Sequence, residues 1–148
     1  MKMNLMMRVF ALPLVLFLAL FVSGCENPVG SGGEHPEGLV VVDAQGSVVA
    51  SYLSPTSSRT GQITVAAGSE QTYRVFLLTR GGSRIELDGL EYSINQVTVT
   101  TGLFATANIT GVDQLRVRGT AAGLTTLILP VQHGTHTEFL AEIALRVQ

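Results

Sequence analysis

From Leu39 to the carboxy terminus the apolar residues of this chain recur every second position, and no stretch sustains a 3.6-residue period. Thr72 to Thr79 alternates, with Tyr73, Val75 and Leu77 on one side. Leu115 to Gly119 alternates strictly, Leu124 to Val131 is almost continuously apolar, and Thr137 to Val147 places Phe139, Ala141, Ile143, Leu145 and Val147 on one face. A helix over Phe139 to Leu145 would group only Phe139, Ile143 and Ala144, so the strand reading is preferred. Gly, Asn, Asp and Ser separate the runs. Leu39–Asp43 and Ser47–Leu53 around Ala44-Gln45-Gly46 read as a hairpin, Ser54 to Gly61 as a polar loop, and Gln62–Val65 as a short strand. Ile85–Leu87 and Leu90–Ile94 are short strands around Asp88-Gly89, and Val97–Thr110 is ambiguous. About eight short strands with regular turns predict an all-β sandwich or barrel over residues 39–148.

The amino terminus has a different texture and is set aside before fold reasoning. Lys2 and Arg8 precede thirteen almost purely apolar residues, Val9 to Phe21. A membrane span needs about 20, so this run is too short to cross. It ends in Val22-Ser23-Gly24-Cys25. Charge, length and ending together resemble the signal and lipobox of bacterial lipoproteins. The resemblance implies a signal peptide over 1–24, cleavage before Cys25, diacylglycerol on its sulfur and an acylated mature amino terminus. The implied partner is a membrane, reached through the lipid on Cys25. Two or three acyl chains hold where one binds only marginally. Glu26 after the cysteine resembles the outer-membrane sorting pattern of enteric bacteria. Residues 25–38, rich in Gly and Pro, read as the acylated cysteine and a flexible tether.

Removing the signal changes what the chain can do. Cys25 is the only cysteine, so the domain has no disulfide, thiol nucleophile or cysteine-based zinc site. Seven Arg stand against eleven Asp plus Glu from Cys25 onward, a mildly acidic balance that argues against nucleic-acid binding. Ser57-Ser58-Arg59 has no His and Asp arranged around it, and Gly81-Gly82 has no following Lys, so neither nucleophilic catalysis nor a phosphate loop is indicated. The Asp88, Glu86 and Glu91 cluster reads as a solvated turn, and Arg116 and Arg118 as outward residues of one strand.

Leu115-Arg-Val-Arg-Gly119, Ala122 to Leu129 and Ala141 to Val147 resemble the closing strands of bacterial Ig-like domains of the group 2 type. Ile63 to Gly68 followed by Tyr73-Arg-Val75 is similar to their opening strands. The likeness spans residues 62–148 and implies an Ig-like β-sandwich without catalysis, of a kind that spaces or contacts envelope proteins or glycans. That family carries a core Trp after its second strand; this chain has no Trp, and Tyr92 stands nearest.

One constellation remains. Of the three histidines, His133 and His136 flank Gly134-Thr135 between the last two strands. A two-residue type II′ turn would set them directly opposite, about 5 Å apart at Cβ, a spacing from which two imidazoles can chelate zinc or copper. In an Ig-like sandwich His35 enters at the same end, with Glu34, Glu37 and Glu138 near in sequence. A regular two-residue hairpin, however, would turn Leu127, Leu129 and Val131 to the same side as Glu138 and Glu142. Burying those three contributes roughly 1.5–3 kcal/mol each, so an odd-length loop is expected, one histidine on the strand end and one in the loop. Three-histidine metal site and solvated loop histidines both remain open at this point.

Overall fold

The computed structural model describes residues 35–148; the signal, Cys25 and the tether up to Glu34 lie outside the described residues. Twelve strands follow in order: β1 Pro36–Val42, β2 Val48–Leu53, β3 Ser58–Gly61, β4 Ile63–Val65, β5 Glu70–Thr79, β6 Arg84–Glu86, β7 Tyr92–Ser93, β8 Thr98–Val99, β9 Ala105–Thr110, β10 Gln114–Gly119, β11 Gly123–His133 and β12 His136–Val147. One sheet runs β3-β2-β1-β5-β10-β9, with β6 paired to β5. The other runs β4-β12-β11-β7, with β8 also on β11. The fold is an all-β sandwich. Its strands β5, β10 and β9 stand in the B-E-D order, and β7, β11 and β12 in the C-F-G order, of the immunoglobulin-type arrangement. Three further strands, β1 to β3, extend the first sheet beyond β5.

Local chemistry explains the turns. The Asp43 carboxylate accepts from the backbone N–H of Gln45 and of Ser47, at 3.0 and 2.8 Å, and closes the β1–β2 hairpin. Thr79, the one buried polar residue among those described, ends β5: its hydroxyl accepts from the N–H of Ser83 and its carbonyl from that of Gly82. Strands β7 and β8 pair with the same strand and are separated only by Ile94–Val97, so together they form one interrupted edge strand. Pro130 falls in the stretch of β11 opposite that gap, where its missing N–H costs no ladder bond on that side. The expected polar loop over Ser54 to Gly61 is instead a 3-10 turn, Ser54–Thr56, followed by the exposed strand β3. Strand β1 begins at Pro36, three residues before the expected domain start.

The core lies between the sheets. Leu39, Val41, Tyr73, Val75, Leu77, Leu115 and Val117 from the first sheet meet Leu127, Leu129, Val131, Ala141, Ile143 and Leu145 from the second, all buried. Close approach fixes Gly119: a Cβ there would lie 2.6 Å from the Ala66 carbonyl oxygen, where the chain bridges from one sheet to the other.

The last hairpin corrects the sequence expectation. Its loop is two residues, Gly134-Thr135, and His133 pairs directly with His136. Gly134 takes φ +56 and Thr135 keeps a negative φ, as a type II′ turn requires. The core face is kept as well, because Val131 pairs with Phe139 while Gln132 pairs with Thr137. Glu138 is thus an extra residue, a β-bulge that shifts the phase of β12 by one. The bulge satisfies both the turn geometry and the burial of the core face.

Deleting Glu138 should therefore leave a regular two-residue hairpin in which Val131 still faces Phe139, whereas deleting Thr137 and Glu138 together should set the tight turn against the inward row of β12. We expect a loss of more than about 3 kcal/mol in urea unfolding for the double deletion, against less than about 1 kcal/mol for the single one. Equal effects of the two changes would refute the phase-shifting role.

Candidate functional site

Three segments meet at the end of the sandwich where β1 begins. Pro36 pairs with Thr79, so His35 is set beside the β5–β6 turn. There it lines a shallow depression with Glu37, Thr79, Arg80, Gly81 and Ser83. From the other sheet, the β11–β12 hairpin brings His133 to within 6.1 Å of His35 between ring centroids, edge to face. The third segment is the turn before β7. Tyr92 pairs with His133 across the strands, and their rings stack at 4.8 Å.

That third segment is built on Asp88. Its carboxylate oxygen Oδ1 accepts from the N–H groups of Leu90, Glu91 and Tyr92, at 2.9, 2.8 and 3.0 Å. These bonds, from Tyr92 foremost and then Leu90, hold the Asp88 carboxyl below the usual range. Gly89, at φ +75, lets the chain reverse, and its N–H donates to the Tyr92 carbonyl. The Glu91 carbonyl in turn accepts from the N–H of Gly134, at 2.9 Å. A turn in one connection thus locks the hairpin tip in another.

The result is a ring of charge around one imidazole. Glu91 Oε1 lies 3.8 Å from His133 Nε2, and Glu138 Oε2 lies 3.9 Å from His133 Nδ1. The bulge that sets the phase of β12 also puts the Glu138 carboxylate there. Tyr92 is 5% exposed. Burial raises its phenol above the usual range, and the Glu91, Glu138 and Asp88 carboxylates add to the rise.

All three sequence-predicted histidines reach this end, though not equally. His35 and His133 are neighbours, while His136 sits across the hairpin with an exposed side chain. No group of three or more His, Cys, Asp or Glu side chains among the described residues is placed to hold one ion. Of the carboxylates expected nearby, Glu138 reaches His133 and Glu37 lines the His35 depression. Cys25, the predicted lipidation site, and Glu34 lie outside the described residues. Sequence reasoning missed Glu91 and Tyr92 as neighbours of His133. The available signal is the Asp88-Gly89 turn, which the sequence alone reads as solvated.

The Asp88 carboxyl titrates lower in the folded chain than in the unfolded one, where it follows the ordinary value of about 3.9. Its contribution is therefore complete above that value and lost as pH falls through the lower folded value. Asp88→Asn should lower the melting temperature at neutral pH, and the gap from wild type should narrow steadily below about pH 4. A gap constant from neutral to acid pH in circular-dichroism melts would exclude this role for the carboxylate.

No family model and no curated protein matches this sequence. Solved structures similar to it include domains 4 and 5 of the S-layer protein SbsC, at 21% identity and a TM-score of 0.42, over 60% of this chain and 47% of that one. Domains 5-6 of the same protein are similar at 22% identity and 0.42, over 60% and 40% of the two chains. Domains 1-6 are similar at 16% identity and 0.41, over 74% and 20%. This chain spans less than half the length of each of these structures.

Proposed function

We propose that this chain is a lipid-anchored cell-envelope protein whose β-sandwich acts without catalysis, by presenting surfaces to other envelope components. The observation that carries the anchor is the sequence from Lys2 to Cys25: a positive start, an apolar run too short to span, and a cysteine directly after Val22-Ser23-Gly24. Support for a surface role comes from how the described residues use their polar groups. Carboxylates and hydroxyls close turns, as Asp43, Asp88 and Thr79 do, or pair across strands, as Arg74 does with Asp113 at 2.7 Å. The core is apolar throughout.

The anchor reading predicts that the protein, expressed in a bacterium, partitions into the detergent phase and carries labelled palmitate. Cys25→Ser should remove the label and leave the signal uncleaved. Label retained by Cys25→Ser would overturn the reading.

A second reading, a metal-binding lipoprotein, has one observation in its favour: His35 and His133 lie side by side with His136 across the hairpin. It requires His136 to rotate toward the pair. Titration of zinc and of copper(II) into the detergent-solubilised chain should then show saturable binding that His133→Ala/His136→Ala abolishes. Binding unchanged by that double substitution would eliminate the three-histidine site.

A further inference from the structure

The two sheets have four outer edges, and three of these, like the three-residue charged strand β6 that flanks β5, are closed to further pairing. At β3 the strand is only four residues long and follows a left-handed Ser57 at φ 50, and its Arg59 reaches across to Glu142 of the other sheet. At β4 there are three residues, and the chain then crosses to bridge Gly119. At β7 and β8 the edge is broken by Ile94–Val97. These are the devices by which sheets avoid edge-to-edge association: shortness, charge and interruption.

Strand β9 has none of them. Ala105-Thr-Ala-Asn-Ile-Thr110 pairs with β10 over six consecutive residues without a register shift. It carries no charge, no Pro and no Gly. Among the described residues its backbone bonds only to β10, which leaves the N–H and C=O groups of its outer side free. Ala107 and Ile109 pack against the core, and Thr106 and Asn108 are exposed on the outer face.

We propose that β9 is a pairing edge for β9 of a second copy of this chain, the two strands running antiparallel about a two-fold axis. A strand edge accepts any extended segment, so the choice of occupant rests on complementarity. An antiparallel pair keeps its faces aligned only when partners differ by an even number of positions. Two registers meet this condition and pair most of the strand. One is centred on Ala107, with Thr106 opposite Asn108 of the copy; the other is centred on Asn108, opposite itself. Both set Ala and Ile against Ala and Ile on the core side, and Thr and Asn against Thr and Asn outside. Charge permits the match. The nearest cations on that face are Arg116, beside Asn108, and Arg118, beside Thr106, and Arg116 is already paired with Glu70 at 3.4 Å. Across the joint they would stand three strand spacings from the copy's arginines, about 14 Å. That exceeds the screening length of about 8 Å. The interface is isologous and closes at two copies. A single strand pair buries less than the roughly 1,200 Å² of a stable complex, so the dimer is weak and depends on concentration.

Weak pairing is best read by trapping. The full-length protein is made with Asn108→Cys, with Thr106→Cys/Asn108→Cys, and with Thr60→Cys on the β3 edge as the control, and an oxidant is added. Opposed residues on paired strands lie about 4.5–5.5 Å apart at Cα, within the range a disulfide spans. At least one β9 variant should form a disulfide dimer roughly a hundredfold faster than Thr60→Cys, the low end of the gain that proximity gives. Adding Thr106→Lys to Asn108→Cys should remove that advantage while leaving the melting temperature unchanged. The proposal is overturned if neither β9 variant outpaces Thr60→Cys, or if Asn108→Cys joins only to a different protein. The inference does not depend on lipidation. Were Cys25 free, the unsubstituted chain would itself crosslink, a result that bears on Cys25 and not on β9.

Discussion

The inward row of β12 is the constraint on which the rest of the sandwich depends. Phe139, Ala141, Ile143, Leu145 and Val147 are buried, and they hold the second sheet against the first. With no disulfide in the domain, stability rests on that burial. A strand has only two phases, and a slip of one residue would exchange Phe139 and Ile143 for Leu140 and Glu142. The phase is set at the hairpin, by one extra residue. Counted into a regular ladder after the two-residue turn, Glu138 would put β12 in the wrong phase; bulged out of the ladder, it leaves the strand in the right one.

The same residue carries the consequence to the end of the molecule. A bulge bends its strand and re-aims a side chain, and here it brings the Glu138 carboxylate to one nitrogen of His133 while Glu91 lies by the other. Glu91 is there because Asp88 gathers three N–H groups and directs the Glu91 carbonyl to Gly134. His133 is thus held by its strand, its stacking on Tyr92 and the turn beneath it. His136, one strand across, is held by its pairing with His133 but has no ring stacked on it and no turn beneath it. The two histidines look equivalent in the sequence His-Gly-Thr-His and are unequal in the fold.

Much of the architecture was legible because alternation reports a half-buried strand directly. The inward residues of β5, β10, β11 and β12 are those that period two selects. The elements that escaped have no such pattern. Strand β3, Ser58–Gly61, is exposed at every position, so burial leaves no trace in its composition. It exists because β2 offers it a ladder. Strand β8 is two residues whose partner lies some 29 positions on, a contact no local window contains. The hairpin was misread for a related reason. Parity was applied to a regular ladder, and a bulge is the one local device that breaks parity. Nothing in Thr137-Glu138 marks it, since a bulge position accepts many residue types. The meeting of His35 with His133 was legible only through the fold, once the end at which β1 begins was inferred.

Tyr92 marks one difference between this sandwich and immunoglobulin-type domains. Immunoglobulin-type domains bury a Trp on strand C. Here β7 supplies Tyr92, buried and turned to the end of the sandwich, where it stacks on His133. The added strand β1 brings His35 to the same end. Because β1 pairs antiparallel with β5, it must begin where β5 ends, at Thr79, and that is the end holding His133. His35, directly before Pro36, is therefore set at the histidine end by strand polarity alone. The free edge β9 lies elsewhere, at the far side of the first sheet from β1, separated from it by β5 and β10. The topology thus assigns the chain's arrival and its one unprotected strand to different parts of the domain, so that occupying one leaves the other open.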